Sequence, residues 1–298
     1  MQVLCFGSLN IDYTYRVPHF VAKGETLCAD SLQIFSGGKG LNQSIALARA
    51  GMDTFHAGAI GPDGQFLLEQ LQQAGVHTRD VRTLPDVRTG HAIIQNDADG
   101  DNCILLYGGA NRAITRAQID EVLRHFQAGD LLLLQNEIND IPYLMQQAHA
   151  IGMQIALNPS PMEEVIRHFP LAYVDYLVLN EVEAAQILRI SDSNFDRMGQ
   201  ALQERFPDAA ILLTLGAAGA LYRKQDRVLH QPAERVQAVD TTAAGDTFTG
   251  FFFGALFRGL AVPDALRIAS HAAAIAVTRP GASPSIPTWA KVQNPQDP

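Results

Sequence analysis

The stretch Asp240-Thr241-Thr242-Ala243-Ala244-Gly245-Asp246-Thr247-Phe248 is the most informative segment of this chain and leads into a long apolar helix. Its small residues Ala243, Ala244 and Gly245 are typical of a tight turn, and Asp246 falls in the first turn of the helix. An aspartate at that position can cap the helix and is favoured by the helix dipole. The same geometry also places a carboxylate beside free N–H groups, as transfer of a phosphoryl group to a hydroxyl requires.

A second glycine-rich segment, Ser36-Gly37-Gly38-Lys39-Gly40-Leu41-Asn42, also precedes a predicted helix. Its glycines let the backbone approach a ligand closely, and the start of the helix supplies free N–H groups. It is not a P-loop, because Gln33 stands where that pattern has Gly and a Gly follows Lys39. A glycine-rich turn packed against a helix explains the same residues, so the sequence alone leaves both roles open.

Three further segments carry weaker signals. Thr214-Leu215-Gly216-Ala217-Ala218-Gly219 follows a predicted strand and can hold a nucleotide against its backbone, although a plain strand–turn–strand explains it equally well. Asn180 and Glu183 have the spacing of a capping box at the start of a helix. Asn10 and Asp12 follow the first strand, at the edge where open α/β sheets bind ligands, and a turn role is the alternative.

Short apolar strands alternate with helix-length segments along most of the chain. Strands are predicted at Val3–Gly7, Phe55–Ile60, Leu131–Leu134, Gln154–Asn158, Tyr176–Leu179 and Ile211–Leu215. Helices are predicted at Leu41–Ala50, Phe66–Ala74, Ile141–Ile151, Val182–Leu188, Arg197–Phe206 and within Gly245–Thr278. This alternation predicts the α/β class, with a mainly parallel sheet between two layers of helices. The stretches 11–35 and 91–107 interrupt it and are typical of antiparallel hairpins that form a small separate sheet.

The composition limits the possible functions. The 298 residues are 47% hydrophobic, enough for one large α/β domain or two smaller ones. A net charge of −9 without a Lys/Arg cluster argues against binding to nucleic acid or to an anionic membrane surface. No apolar run approaches the ~18 residues that a membrane span needs. Three cysteines without metal-ligand spacing fit a reducing, cytoplasmic compartment.

In this order, the segments resemble the ribokinase-like (PfkB) carbohydrate kinases over essentially the whole chain. Gly-Gly-Lys-Gly-Leu-Asn at 37–42 and the highly specific 240–248 segment carry the resemblance, and Thr278–Ser285 adds to it. The resemblance implies a single domain over 1–298, with a central mainly parallel sheet flanked by helices. It also implies a small β-sheet lid from segments 11–35 and 91–107, through which such kinases often form homodimers. The implied reaction is ATP-dependent phosphorylation of a primary hydroxyl of a small sugar, with ribose the first choice.

The resemblance also implies roles for individual residues. Asp246 is the implied catalytic base, and the N–H groups of Ala244, Gly245 and Asp246 form the implied anion hole for the phosphoryl group. The implied sugar contacts are Asn10, near the 2-hydroxyl, with Asp12, Gly38, Lys39, Asn42 and Glu137. The implied ATP contacts are Asn180, Glu183, Thr214, Leu215, Gly216, Ala217, Ala218, Gly219, Gly245 and His271, with Glu183 also organising Mg²⁺. A potassium ion is implied at Asp240, Thr242, Ala276, Arg279, Gly281 and Ser285.

Other functions on the same fold stay open at this point. Leu41 stands where these kinases commonly have Ala, and its larger side chain can narrow or reshape the sugar pocket. Deoxyribose, a hexose, a sugar acid or a nucleoside are alternative acceptors, although no aromatic shelf for a nucleobase is evident. A catalytically silent sensor is disfavoured because Asp246 is present. A dinucleotide-dependent dehydrogenase does not fit, since Gly7-Ser8-Leu9-Asn10 after the first strand lacks the Gly-x-Gly-x-x-Gly pattern.

Overall fold

The computed structural model describes residues 1–99, 101–190 and 194–294, which form two sheets and their flanking helices. The strands are β1 Val3–Phe6, β2 Asn10–Arg16, β3 Ser31–Gly37, β4 Thr54–Ile60, β5 His77–Thr83, β6 Gly90–Asn96, β7 Asn102–Tyr107, β8 Leu131–Gln135, β9 Gln154–Asn158, β10 Tyr176–Asn180, β11 Ala210–Thr214, β12 Ala220–Lys224 and β13 Arg227–Gln231. The helices are α1 Lys39–Arg49, α2 Gln65–Gln73, α3 Arg116–Leu123, α4 Ile141–Ile151, α5 Glu181–Leu188, α6 Phe195–Arg205, α7 Ala244–Phe257, α8 Val262–Val277 and α9 Trp289–Gln293.

The large sheet has the strand order β13-β12-β11-β10-β9-β8-β1-β4-β5. Its strands from β11 to β5 are parallel, and the β12–β13 hairpin adds two antiparallel strands at one edge. An apolar core covers each face of this sheet. Along β1, Leu4 and Phe6 pack into one core, and Val3 and Cys5 pack into the other. Strands buried on both faces must be continuously apolar, which is why the sequence revealed them. The predicted α/β class is confirmed.

The predicted strands and helices match the observed ones to within two residues at each end. The long region Gly245–Thr278 consists of two helices, α7 and α8, because the chain turns at Gly259 with a positive φ of 84°. The elements that were not predicted are the edge strand β5, the hairpin strands β12 and β13, and the short helices α3 and α9.

The small sheet has the order β3-β2-β6-β7 and includes both irregular stretches. The pairs β2–β3 and β6–β7 are antiparallel, as predicted for the two hairpins. The hairpins join through a parallel pair, β2–β6, so the small sheet is mixed rather than purely antiparallel. Gly100, in the predicted turn between β6 and β7, lies outside the described residues.

Helices α1 and α7 cross at very short range, and this crossing positions the site. A Cβ on Gly250 would collide with Ala46, and a Cβ on Gly254 would collide with Ala50. Residues four apart lie on one face of a helix, so Asp246 belongs to the same face of α7 as these two glycines. The close crossing therefore brings Asp246 against the first turn of α1.

Candidate active site

The carboxylate of Asp246 is buried and is held by two side-chain amides from α1. Its Oδ2 accepts a hydrogen bond from Asn42 Nδ2 at 3.1 Å, and its Oδ1 accepts one from Gln43 Nε2 at 2.9 Å. The carboxylate makes no capping bond at the start of α7 within the described residues. Helix capping is therefore not what this aspartate does, and its position fits a proton acceptor.

A chain of buried amides continues behind Asp246. Gln135 Nε2 donates to Gln43 Oε1 at 2.6 Å, and both side chains are buried beneath α1. Because the Asp246 carboxylate can only accept, Gln43 Nε2 must face it, and Gln43 Oε1 then faces Gln135. Sequence reasoning missed both glutamines; the only available signal was that Gln43 follows Asn42 in the glycine-rich segment.

The backbone at the start of α7 presents two uncommitted donors. Ala243 adopts a left-handed conformation with φ 60°, and the Ala244 N–H donates to Thr241 O at 3.2 Å. The Gly245 and Asp246 N–H groups donate to nothing within the described part of the chain. Of the three N–H groups in the predicted anion hole, these two are available to an anion, and the helix dipole favours a negative charge there.

A cavity of about 580 Å³ opens in front of this helix start. Predicted site residues that line it are Lys39, Asn180, Glu183, Thr214, Gly216, Ala217, Gly219, Ala244, Gly245 and Asp246. Of the other predicted nucleotide contacts, Leu215 packs in the core, and Ala218 and His271 are not among the described residues that line the cavity. Ser270 lines it instead, and His271 binds the carboxylate of Glu234 at 2.8 Å.

Two turns shape the walls of this cavity. Asn180 and Glu183 form the predicted capping box, in which Asn180 Oδ1 accepts from the Glu183 N–H and Glu183 Oε2 accepts from the Asn180 N–H. Glu183 Oε1 accepts no hydrogen bond within the described residues and is free for a ligand. The turn between β11 and β12 needs glycine at both ends, because Gly216 and Gly219 have φ values of 52° and 103°.

Lys39 joins the cavity to a second polar cluster around β1 and β2. Burial lowers the pKa of Lys39, but the carboxylates of Asp246, Glu137 and Glu183 outweigh that effect and raise it. Glu137 accepts a hydrogen bond from the Lys39 N–H at 2.9 Å and another from the Ser8 hydroxyl. The predicted sugar contact Glu137 therefore also caps α1, whose own N-cap residue Gly38 has no side chain to do so.

Asp12 is an acceptor without a donor. Its carboxylate lies over the bare Cα of Gly37, where a Cβ would collide with it. No described residue donates a hydrogen bond to this carboxylate, and burial followed by the charge of Glu137 raises its pKa to about 7. A half-buried carboxylate without partners is costly unless a ligand supplies hydrogen-bond donors. The hydroxyls of a sugar are suitable donors.

Asn10 lies two residues before Asp12 on the same face of β2. Its Oδ1 accepts a hydrogen bond from Nδ2 of the buried Asn111 at 2.7 Å, and its Nδ2 has no acceptor within the described residues. Asn111 was not predicted from the sequence. Leu41, which the sequence placed beside the sugar pocket, is fully buried in the core beneath α1. Its side chain therefore does not narrow the pocket.

The predicted potassium residues lie in two neighbouring loops, except Ala276, which lies in the last turn of α8. Asp240 bridges these loops, because it accepts hydrogen bonds from the Thr242 N–H at 2.9 Å and the Gly281 N–H at 2.8 Å. Burial raises the pKa of Asp240, but these hydrogen bonds outweigh it and hold the pKa below its usual range. Ala276, Arg279 and Ser285 lie at the end of α8 and in the loop that follows. The carboxylate, hydroxyl and backbone carbonyl oxygens of these residues are of the type that binds a hard monovalent cation.

The described residues hold neither a cluster of metal-ligating side chains nor a helix suited to a membrane. They contain no group of three or more His, Cys, Asp or Glu side chains placed to hold a metal ion. None of the helices within 1–99, 101–190 and 194–294 has the length and apolar character to cross a bilayer.

Known proteins resemble this chain over nearly its whole length. The sequence profile described as pfkB family carbohydrate kinase matches residues 1–289. A ribokinase of Haemophilus influenzae is 35% identical over 289 residues, covering 95% of this chain and 94% of that protein. A deoxyribokinase of Salmonella typhi is 30% identical over 300 residues, covering 97% of this chain and 96% of that protein. The solved structure of Arabidopsis thaliana ribokinase complexed with ribose and ATP has a TM-score of 0.89 at 30% identity, and covers 98% of this chain and 97% of that one.

Proposed function

Because this chain belongs to the pfkB family of carbohydrate kinases, we propose that it transfers the terminal phosphoryl group of ATP to the primary hydroxyl of ribose. The products are ribose 5-phosphate and ADP. The observation that carries the proposal is the position of Asp246, between free N–H groups at the start of α7 and the amides of α1. The similarity to ribokinases, one of them solved with ribose and ATP, supports ribose as the acceptor.

Asp246 acts as the general base in this proposal. The sugar's primary hydroxyl oxygen attacks the terminal phosphorus of ATP while its proton passes to the Asp246 carboxylate. The bond from that phosphorus to the bridging oxygen breaks, and ADP leaves with the electron pair. The Gly245 and Asp246 N–H groups donate to the oxygens of the phosphoryl group during transfer, and the raised pKa of Lys39 keeps a positive charge beside them.

The cavity of about 580 Å³ is the proposed ATP site. Its glycine-edged turn at 216–219 allows close approach to the nucleotide, and the start of α7 receives the phosphates. Mg²⁺ fits beside Glu183 Oε1, since this hard ion keeps several waters and takes one or two carboxylates together with phosphate oxygens. Potassium would be held at the Asp240 loops, where carboxylate, hydroxyl and carbonyl oxygens are the available ligands. When bound, the two ions would neutralise part of the phosphate charge near the start of α7.

The proposed sugar site is the cluster of Asn10, Asp12, Gly38, Asn42 and Glu137 on the other side of Asp246. Asn42 supports this assignment, because its Nδ2 is bound to Asp246 while its buried Oδ1 has no partner within the described residues. A sugar hydroxyl can donate to that oxygen. The small sheet carries Asn10 and Asp12, so we assign to it the role of a lid over the sugar.

Homodimer formation through this lid is also proposed. Apolar side chains of the small sheet are exposed at Leu32, Ile34, Ile104, Leu105, Leu106 and Tyr107. The strand β7 forms an edge of the sheet and is exposed along its whole length, which is a liability unless another chain covers it. A second copy would place a matching edge and apolar face against it. The exposed free thiols of Cys28 and Cys103 favour a cytoplasmic setting.

A second candidate acceptor is 2-deoxyribose, favoured by the 30% identity to a deoxyribokinase. A coupled assay of ADP release distinguishes the candidates, with ribose, 2-deoxyribose, hexoses and nucleosides tested at equal concentration. The proposal expects ribose to give the highest kcat/KM. If a hexose or a nucleoside is phosphorylated while neither pentose is, ribose is the wrong acceptor.

A further inference from the structure

The side chain of Asn111 contacts both the backbone of Leu9, directly before β2, and the side chain of Asn10. Its Oδ1 accepts a hydrogen bond from the Leu9 N–H at 3.0 Å, and its Nδ2 donates to Leu9 O at 3.3 Å. The same Nδ2 donates to Asn10 Oδ1 at 2.7 Å. Asn111 is 1% exposed, so these contacts occur away from solvent.

The Leu9 N–H determines the orientation of the side-chain amides of Asn111 and Asn10, that is, where the oxygen and the nitrogen of each lie. A backbone N–H can only donate, so the atom of Asn111 that faces it must be the oxygen. Asn111 Nδ2 then faces Asn10, whose facing atom must be an oxygen as well. Asn10 Oδ1 is then committed to Asn111, and Asn10 Nδ2, which has no acceptor within the described residues, is the group that it offers to a ligand.

Gly90 makes this contact possible. It begins β6 and lies opposite Asn10 in the parallel pair of the small sheet. A Cβ at position 90 would collide with Asn111 Nδ2 and also crowd Asn10 Oδ1, so the two amides meet over a bare Cα. The contact thus joins β2 and β6 of the small sheet to the 109–112 turn that follows β7.

We propose that Asn111 is a positioning residue that sets the acceptor specificity of the kinase by forcing Asn10 to present a hydrogen-bond donor. This inference rests on the proposed function and on the position near the 2-hydroxyl of ribose that the family resemblance implies for Asn10. That hydroxyl accepts a hydrogen bond from Asn10 Nδ2 and donates one to the carboxylate of Asp12. The direction of every bond, from the Leu9 N–H to Asp12, is then determined by the backbone.

A 2-deoxy sugar cannot accept this bond and leaves a buried donor unpaired. One unpaired group of this kind corresponds to a preference for ribose of roughly 5- to 150-fold in kcat/KM. If Asn10 presented an oxygen instead, that oxygen would lie near Asp12 and the ribose hydroxyl could donate to only one of them. The preference would then shrink.

The test is the ratio of kcat/KM for ribose to kcat/KM for 2-deoxyribose in the full-length protein. In Asn111→Asp, the new carboxylate still accepts from the Leu9 N–H but faces Asn10 with an oxygen, so the Asn10 amide must turn over. The ratio is expected to fall to within about threefold of unity, while the KM for ATP stays unchanged. A ratio equal to that of the unmodified protein would overturn the proposal.

Asn139→Asp is the matched control. Asn139 holds Ile114 as Asn111 holds Leu9, since its Oδ1 accepts from the Ile114 N–H at 3.0 Å and its Nδ2 donates to Ile114 O at 2.7 Å. It does not contact Asn10, so its variant should keep the ratio of the unmodified protein. If Asn139→Asp lowers the ratio as much as Asn111→Asp does, the effect is structural and the proposal is wrong.

Asn10→Asp keeps the test decisive if Asn111→Asp does not fold. Its carboxylate retains the hydrogen bond from Asn111 but presents an oxygen to the sugar, and the ratio should again approach unity. A retained preference would overturn the proposal. If the proposed function itself is wrong, the unmodified protein will phosphorylate neither pentose. That result is distinct from a ratio that the substitutions leave unchanged.

Discussion

Asp246 and Gln43 are 203 residues apart in sequence, and the Gln43 amide donates to the Asp246 carboxylate at 2.9 Å in the buried contact between α1 and α7. Together with Asn42, this contact holds the carboxylate away from the N-terminal N–H groups of its own helix. Those groups stay available to an anion, while the carboxylate stays available to a proton. In the proposed mechanism, one helix start therefore serves both as anion site and as base, because a neighbouring helix lies close enough to separate the two groups.

The close crossing of α1 and α7 should be sensitive to one added methyl group. Gly254→Ala should lower the free energy of unfolding by about 1–3 kcal/mol, the usual cost of overpacking. Ala50→Gly should restore most of it, since the Ala50 side chain is the main obstacle. At Gly250 the obstacle also includes the backbone of Ala46, so Ala46→Gly should not rescue Gly250→Ala. Denaturant unfolding of the four variants measures this, and equal rescue at both positions would contradict the crossing geometry.

The raised pKa of Asp12 predicts that ribose binding depends on pH. Asp12 accepts hydrogen bonds from hydroxyls when it is ionised, and its pKa in the free protein is about 7. Below that value the ionised fraction falls, so the Kd for ribose should rise by up to about tenfold per pH unit. Calorimetric titration with ribose between pH 5.5 and 8.5 measures it. Asp12→Asn should bind weakly at every pH, and a Kd that is flat in the unmodified protein would remove Asp12 from the sugar site.

The Asp240 loops predict activation by potassium. At constant Mg²⁺ and ionic strength, the rate should be higher in potassium chloride than in tetramethylammonium chloride, because the larger ion cannot enter a site of closely placed oxygens. Asp240→Asn should reduce the difference between the two salts, since one carboxylate charge is lost. Initial rates of ADP release measure both proteins. Equal rates in the two salts for the unmodified protein would contradict the cation site and leave the kinase activity unaffected.

The exposed edge of the small sheet predicts a dimer in solution. Leu105→Glu places a charge on an apolar strand that is exposed in the single chain, and burial of that charge in a dimer would be costly. Sedimentation equilibrium should give a dimer for the unmodified protein and a monomer for Leu105→Glu. Val228→Glu, on the exposed strand β13 of the large sheet, is the control and should remain a dimer. A monomeric unmodified protein would contradict this interface.

The fold could be predicted from the sequence where burial leaves a continuous apolar pattern. The strands β1 and β8 are covered on both faces, and their apolar runs are plain. The edge strand His77–Thr83 is mostly polar and was missed for that reason. Helix α3 had an overlooked signal, because Thr115 caps it by accepting from the Gln118 N–H three residues later.

The residues of the candidate site were likewise predictable only where a local sequence pattern marks them. Asp246, Gly245 and Asn180 lie in local motifs whose spacing is visible in the chain. Asn111 and Gln135 contact the site only through tertiary structure, since Asn111 and Asn10 are 101 residues apart. No local pattern marks such residues, so only the folded arrangement identifies them.

The most direct test of the account is the rate of ribose-dependent ADP release by the unmodified protein and by Asp246→Asn. The account predicts ribose 5-phosphate as the product of the unmodified protein, and a kcat about 10²- to 10⁴-fold lower in the variant, as expected when a general base is removed. Binding of ATP should be retained, because the N–H groups at the start of α7 remain. Near-normal turnover by Asp246→Asn, with the same product, would contradict the role of Asp246 as the base.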